Sequence, residues 1–102
     1  MAFRIQRQGE ILRIHLQGRM DKEEAQALEQ QWRQLELAGL SSVVFDLSST
    51  TSLSSTAIGK LLAFNREAAR LGVSLCLERV PPEIYQVLKM VRLHEVLPIQ
   101  CQ

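Results

Sequence analysis

The 102-residue chain has few of the features that define secreted, membrane-spanning or disulfide-rich proteins. Its two cysteines, Cys76 and Cys101, are too few for a disulfide framework, and we expect both to be reduced thiols. No apolar run approaches the roughly 20 residues that a membrane-spanning helix needs. The N-terminal segment also lacks the long apolar stretch of a signal peptide. These absences predict a cytoplasmic protein without direct membrane insertion.

The chain also lacks a surplus of charge of either sign, since it has 12 Lys and Arg residues against 11 Asp and Glu residues. A protein that neutralises nucleic-acid phosphates carries a basic surplus, so we expect no nucleic-acid partner. The sequence has neither a glycine-rich phosphate-binding loop nor a metal-binding spacing of Cys or His. His15 and His94 are far apart, and each lacks a local partner residue. We therefore expect no catalytic residue, no metal and no cofactor, and a protein that is not an enzyme.

The first third of the chain predicts a β-hairpin followed by a helix. Apolar and polar residues alternate over the first 17 residues, as they do in strands with one buried face, and Gly18 ends this pattern. Asp21 and Glu24 then have the spacing of a capping box, in which each side chain bonds an amide at the helix start. Apolar residues at spacings of three and four follow, and we expect the helix to stop at Gly39.

The middle of the chain contains an apolar strand, a hydroxyl-rich segment and a second helix. The run Ser42–Leu47 has an unbroken apolar centre, which is typical of a strand covered on both faces by helices. Ser48–Thr56 is rich in small hydroxyl residues, so we expect a loop there. The segment from about Ser55 to Leu71 has two adjacent apolar rows and is followed by Gly72. This pattern predicts a helix that is buried under a neighbouring layer.

The last third of the chain completes an α/β domain. Apolar residues alternate from Val73 to Leu77, which predicts a strand, and Pro82 fits the first turn of a third helix. Leu93–Ile99 is compatible with a short final strand. The order β-β-α-β-α-β-α, with or without a final β, predicts one domain over residues 1–102. We expect a mixed sheet of four to five strands with three to four helices packed on it.

The hydroxyl-rich segment has the strongest functional implication, because it leads from a buried strand into the start of a helix. One serine at position 54 or 55 is explained by helix capping, but a whole segment of small polar residues is not. The free amides and partial positive charge of a helix N-terminus stabilise a phosphate. Phosphorylation of a serine there adds nearly two negative charges. The segment therefore favours a binding switch controlled by phosphorylation.

Four segments of the chain resemble the STAS family, the anti-sigma-factor antagonist domains of bacteria. Gly18–Asp21 is similar to the family's Gly-x-Leu-Asp, and Val43–Leu47 is similar to its central strand. Ser54–Gly59 is similar to its loop and helix start, and Gly72–Leu93 to its closing strand and helix. The resemblance covers nearly the whole chain, and it implies the STAS fold.

The hallmark loop of the family reads Asp-Ser-(Ser/Thr)-Gly-(Leu/Ile)-Gly, and a partner kinase phosphorylates its first serine. An ungapped comparison places that serine at Ser55 and makes Thr56 the second choice of acceptor. Ser54 stands where the family has the aspartate, and Ala57 stands where it has the first glycine. The choice between Ser55 and Thr56 stays open.

The resemblance implies that the protein acts by binding. It would dock on an anti-sigma factor that is also a serine kinase, and so release the sigma factor. Phosphorylation of Ser55 would switch it off, and a phosphatase would reset it. We expect it to be a monomer or a weak dimer. The expected partner-binding residues are Asp21, Ser54, Ser55, Thr56, Ala57 and Lys60.

A second interpretation also stays open, because STAS proteins that depart from the hallmark loop also occur as subunits of larger assemblies. The chain would then be a non-switching subunit of a lipid-transport ATPase complex or of a stress-signalling complex. The same loop and second helix would form a permanent docking face.

Overall fold

The computed structural model describes residues 2–100, in which four strands, three α-helices and one 3₁₀ turn follow one another. In chain order the elements are β1 (Phe3–Gln8), β2 (Ile11–Met20), α1 (Lys22–Arg33), β3 (Ser42–Leu53), α2 (Ser55–Arg70), β4 (Ser74–Glu78), α3 (Pro82–Met90) and the 3₁₀ turn Leu93–Glu95. The predicted α/β class and element order are confirmed.

The four strands form one mixed sheet in the order β1-β2-β3-β4. β1 and β2 are antiparallel, whereas β2, β3 and β4 are parallel to one another. The two parallel connections run through α1 and α2, as parallel pairs require. The expected final strand is reduced to a single parallel bridge between Leu77 and Ile99.

The helices cover only one face of this sheet. Alternate residues of the strands join the helices in one buried cluster: Leu12, Ile14, Leu16, Val43, Phe45, Leu47, Leu75 and Leu77. Val44 and Asp46 of β3 point to the other face, which we call the open face. The expectation of a strand covered by helices on both sides is therefore wrong. Val44 is instead buried in a groove of about 480 Å³ whose walls include Ile11, Arg13 and Pro98.

Three aromatic rings form the centre of the core. The ring of Trp32 stacks on that of Phe64 at a centroid distance of 4.4 Å, and Phe45 lies 6.1 Å from Phe64. The indole Nε1 of Trp32 donates a hydrogen bond of 2.6 Å to Glu67 Oε2, which satisfies its polar group. Trp32 is thus the core anchor that connects α1, β3 and α2.

The hydroxyl-rich segment is a strand over most of its length, which corrects the expected loop. β3 continues to Leu53 because β2 also continues beyond Gly18, and Met20 is the Cα partner of Leu53. Gly18 has a φ of 71° beside a shift of register in which β3 has the extra residue, so Gly18 lies at an irregularity of the ladder and does not end β2. The buried hydroxyl of Thr50 donates to the carbonyl of Leu16 at 2.9 Å and fixes this ribbon.

The first helix is shorter than its sequence pattern suggests. α1 ends at Arg33, not at Gly39. The chain leaves the helix there so that Leu37 and Leu40 pack into the core, where both are buried. The second helix ends at Arg70, within one residue of the predicted end.

One expectation about the cysteines is also corrected. Cys76, on β4, is disulfide-bonded, so the prediction of a reduced thiol is wrong for this residue. Cys101 lies outside the described residues.

Candidate functional site

The N-termini of α1 and α2 lie side by side at one edge of the sheet. Met20 and Leu53 are neighbours at the last rung of the β2–β3 ladder. The residues that follow them, Asp21 and Ser54, are the N-caps of the two helices. The amide of Ser54 donates to the carbonyl of Met20 at 3.0 Å and holds the two starts together.

Asp21 caps α1 as the sequence predicts, but the second half of the capping box is absent. Its Oδ1 accepts a hydrogen bond of 2.9 Å from the amide of Glu24. The side chain of Glu24 does not return to the cap; its Oε2 accepts from the amide of Ala2 at 3.1 Å. Glu24 therefore ties down the start of β1, while Asp21 remains exposed at the edge of the sheet.

Ser54 caps α2 through its hydroxyl. Its Oγ accepts a hydrogen bond of 3.1 Å from the amide of Ala57. The first bond between a helical amide and a carbonyl runs from Ile58 to Ser54 at 3.0 Å. The amides of Ser55 and Thr56 precede that bond, so the helix itself gives them no acceptor. The start of α2 therefore has the partial positive charge that stabilises an anion.

The four residues at this helix start differ in exposure. Ser55 is exposed, whereas Ser54 and Thr56 are half-buried. Ala57 is buried in the core, because its methyl group packs the first turn of α2 against the sheet. Its expected place on a partner-binding surface is thus corrected. Of the two candidate acceptors, Ser55 is the more exposed residue.

Lys60 connects α2 to α1. Its Nζ lies 3.0 Å from Oε2 of Glu29, and Arg33 Nη2 lies 3.5 Å from the same oxygen. The hydrogen bond from Lys60 is the main reason that the pKa of Glu29 lies below its usual value, and Arg33 adds to the effect. Lys60 is therefore half-buried and already has a partner in the unmodified protein.

A charged cluster on the open face was not predicted from the sequence. Its centre is Asp46, whose side chain is fully buried. Oδ1 accepts from the amide of Ser48 at 2.9 Å, and Oδ2 is bonded to the Arg79 guanidinium and lies 3.2 Å from Nδ1 of His15. Burial alone would raise the pKa of Asp46, but the Ser48 amide and the Arg79 guanidinium outweigh it and hold the pKa below its usual value.

The cluster extends across the sheet to a second ion pair. Arg13 of β2 bonds Glu78 of β4, and Arg79 lies within 3.9 Å of the same carboxylate. Arg79 has a φ of 52°, a left-handed conformation that is uncommon outside glycine. The available signal was that Arg13 and His15 alternate with apolar residues of β2, as Asp46 does in β3. That alternation gives the face of each strand separately, and only the register of the sheet shows that the three residues share one face.

The described part of the chain, residues 2–100, contains no group of three or more His, Cys, Asp or Glu side chains that could hold a metal ion. Within the same residues, no helix combines the length and the apolar character that crossing a membrane requires.

The layers, the strand order and the paired helix starts define an α/β module. A model of the family described as "Mlab, STAS domain" matches residues 3–98. The chain therefore belongs to the STAS family, as its sequence resemblance implied. A search of curated proteins found no match.

Solved structures of anti-sigma factor antagonists share this fold. The unphosphorylated form of the antagonist SpoIIAA has a TM-score of 0.81 at 16% identity, over 99% of this chain and 90% of that one. An anti-sigma factor antagonist from Mycobacterium paratuberculosis has a TM-score of 0.79 at 19% identity, with 98% and 85% covered. The phosphorylated Bacillus SpoIIAA has a TM-score of 0.72 at 15% identity, with 99% and 93% covered.

Proposed function

We propose that this chain is an anti-sigma-factor antagonist that is switched off by phosphorylation at Ser55. It binds an anti-sigma factor with serine kinase activity and so releases the sigma factor. The kinase transfers the γ-phosphoryl group of ATP to Ser55 Oγ, which yields ADP and a proton, and a phosphatase hydrolyses the phosphate later. The observation that carries this proposal is the exposure of Ser55, the first residue of α2.

The docking face in this proposal consists of Asp21, Ser54, Ser55, Thr56 and Lys60. It already has the carboxylates of Asp21 and, beside Lys60, of Glu29. A phosphate on Ser55 would add a charge near −2 to this surface and change the formal net charge from +1 to about −1. A partner surface that accommodates a neutral hydroxyl would then meet repulsion or the cost of desolvating a dianion.

In this function the protein is a substrate and a binding module, and it supplies no catalytic group. We propose a cytoplasmic monomer or weak dimer with one domain over residues 1–102. The role of a phosphorylated binding module is supported by the structural relatives, which include an antagonist in unphosphorylated and in phosphorylated form.

Two observations favour a second candidate, a non-switching subunit of a larger assembly. The matching family model is described by the name Mlab and not as an antagonist. Ser54 and Ala57 also stand in place of the hallmark aspartate and glycine. The same docking face would then bind permanently within a lipid-transport ATPase complex or a stress-signalling complex.

A phosphorylation assay distinguishes the two candidates. The protein is incubated with ATP and its cognate serine kinase, and the modified residue is located by mass spectrometry. The switch predicts one phosphate on the wild-type protein and on Ser49→Ala, which alters another exposed hydroxyl, but none on Ser55→Ala. A phosphate that persists in Ser55→Ala and disappears in Thr56→Val would move the site to Thr56. A wild-type protein that stays unmodified contradicts the switch.

Binding of the same kinase provides the second readout. Ser55→Asp places a negative charge at the helix start, which the fold tolerates because an anion there is stabilised. We expect it to weaken binding at least tenfold in calorimetry, while the uncharged control Ser55→Asn binds more nearly like the wild type. Equal affinity of Ser55→Asp and the wild type would refute the electrostatic part of the proposal.

A further inference from the structure

The two candidate hydroxyls at the start of α2 differ in their relation to Lys60. Thr56 and Lys60 are four residues apart, and residues at this spacing are neighbours on one face of a helix. Ser55 and Lys60 are five residues apart, so at about 100° per residue they lie on different sides of the helix. A long side chain in a helix leans towards the N-terminus, and this direction brings the ammonium of Lys60 towards Thr56.

The ion pair between Lys60 and Glu29 can break without leaving Glu29 unpaired. Glu29 holds Lys60 across the gap between α1 and α2 at 3.0 Å, but Arg33 of its own helix lies 3.5 Å from the same oxygen. Glu29 therefore keeps a cation when Lys60 leaves. A phosphate offers three acceptor oxygens and a charge near −2, which attracts an ammonium more strongly than a single carboxylate does.

We propose that Lys60 is a specificity-determining residue, because it gives phosphates on Thr56 and Ser55 different effective charges towards the partner. It exchanges Glu29 for a phosphate on Thr56 and partly neutralises it, whereas a phosphate on Ser55 keeps its full charge towards the partner. This inference rests on the proposed function, in which the start of α2 is the modified site. It explains why Ser55 is the effective switch even where a kinase can reach both hydroxyls.

The second ionisation of the phosphate tests this difference directly. Full-length protein is prepared with phosphoserine at position 55 or phosphothreonine at position 56 by expanded genetic coding, and each phosphate is titrated by ³¹P NMR. A neighbouring ammonium favours the dianion and lowers this pKa. We expect Lys60→Met to raise the pKa of the phosphate at position 56 by about 0.3. A pKa change of this size corresponds to the interaction energy of two charged side chains four residues apart on a helix. Glu29→Gln frees Lys60, so it should lower the same pKa.

The phosphate at 55 is the internal control, and its pKa should be the same in the wild type and in Lys60→Met. Lys89→Met, on α3, controls for the loss of a charge elsewhere and should leave both phosphates unchanged. Equal responses of the two phosphates to Lys60→Met, or no response at 56, would overturn the inference. The phosphates are installed without a kinase, so the titration does not depend on the phosphorylation assay. A negative phosphorylation assay would refute the proposed switch, whereas a negative titration would refute only the role of Lys60.

Discussion

The buried carboxylate of Asp46 offers the most direct test of the cluster on the open face. The carboxylate of Asp46 accepts hydrogen bonds from the Ser48 amide and the Arg79 guanidinium, it lies 3.2 Å from Nδ1 of His15, and its side chain is fully buried. Asp46→Asn keeps the shape and an acceptor oxygen for Ser48 but removes the charge. Asp46→Ala removes the acceptor as well.

The expected loss of stability depends on how exposed Arg79, the partner of Asp46, is to water. A hydrogen bond to a charged group contributes about 1.5–3 kcal/mol. The Arg79 side chain is 60% exposed, so it returns to water when its partner is lost, and the lower end of that range applies. We expect Asp46→Asn to lower the free energy of unfolding by about 1.5 kcal/mol. Asp46→Ala also leaves the Ser48 amide without its acceptor, and the loss should reach about 2.5 kcal/mol.

The pH dependence has a definite sign. The pKa of Asp46 is lower in the folded protein than its usual value. A carboxylate of this kind stabilises the fold fully above its unfolded pKa of about 3.9, and this contribution is lost as the pH falls through the folded value. The difference in stability between the wild type and Asp46→Asn should therefore be constant near pH 7 and shrink below about pH 4.

Urea unfolding followed by tryptophan fluorescence measures both effects. Trp32 is the only tryptophan and is buried in the aromatic core, so its emission reports global unfolding. Glu95→Gln is the matched control, because Glu95 pairs with Arg92 on the surface and should cost less than about 0.5 kcal/mol. An Asp46→Asn protein as stable as the wild type at pH 7 would refute the reasoning. So would a difference that persists unchanged to pH 3.

Two further predictions concern the start of α2 and the core beneath it. Ser54→Ala removes the acceptor of the Ala57 amide and should cost about 1 kcal/mol in thermal unfolding, whereas Ser54→Asp, which also caps, should stay close to the wild type. Equal losses in the two variants would show that the hydroxyl does not act as a cap. Phe64→Leu removes the ring that stacks on Trp32 and should cost about 1.5 kcal/mol in urea unfolding. An unchanged midpoint would contradict the assigned packing.

Local signals in the sequence predicted the elements that local chemistry determines. α2 begins one residue after its cap at Ser54 and ends within a turn of Gly72, as capping and a glycine stop require. The alternation over β4 and the proline at the start of α3 were equally informative. The hydroxyl-rich end of β3 was predicted wrongly, because small polar residues favour loops unless another strand pairs with them. That pairing comes from β2, more than thirty residues earlier, and no local pattern shows it.

The same distinction applies to the site. Asp21 and Ser54 were each recognisable as helix caps, but their adjacency depends on the parallel register that pairs Met20 with Leu53. The cluster around Asp46 is also a product of register, since its members come from three strands and the turn after β4. Local patterns therefore identify the two helix caps, whereas the contacts between distant residues depend on the register of the sheet.

The replacement of the hallmark aspartate by Ser54 keeps the cap of α2 and removes a charge from the site. The residue at position 54 caps the helix by accepting a hydrogen bond from the amide of Ala57. The hydroxyl of Ser54 accepts this bond at 3.1 Å and has no charge. A carboxylate there would place a permanent negative charge beside the hydroxyl of Ser55. With Ser54 the start of α2 has only its partial positive charge until it is modified. A phosphate on Ser55 would add a charge near −2 with either residue at position 54, so Ser54 sets the charge before modification and not the size of the change.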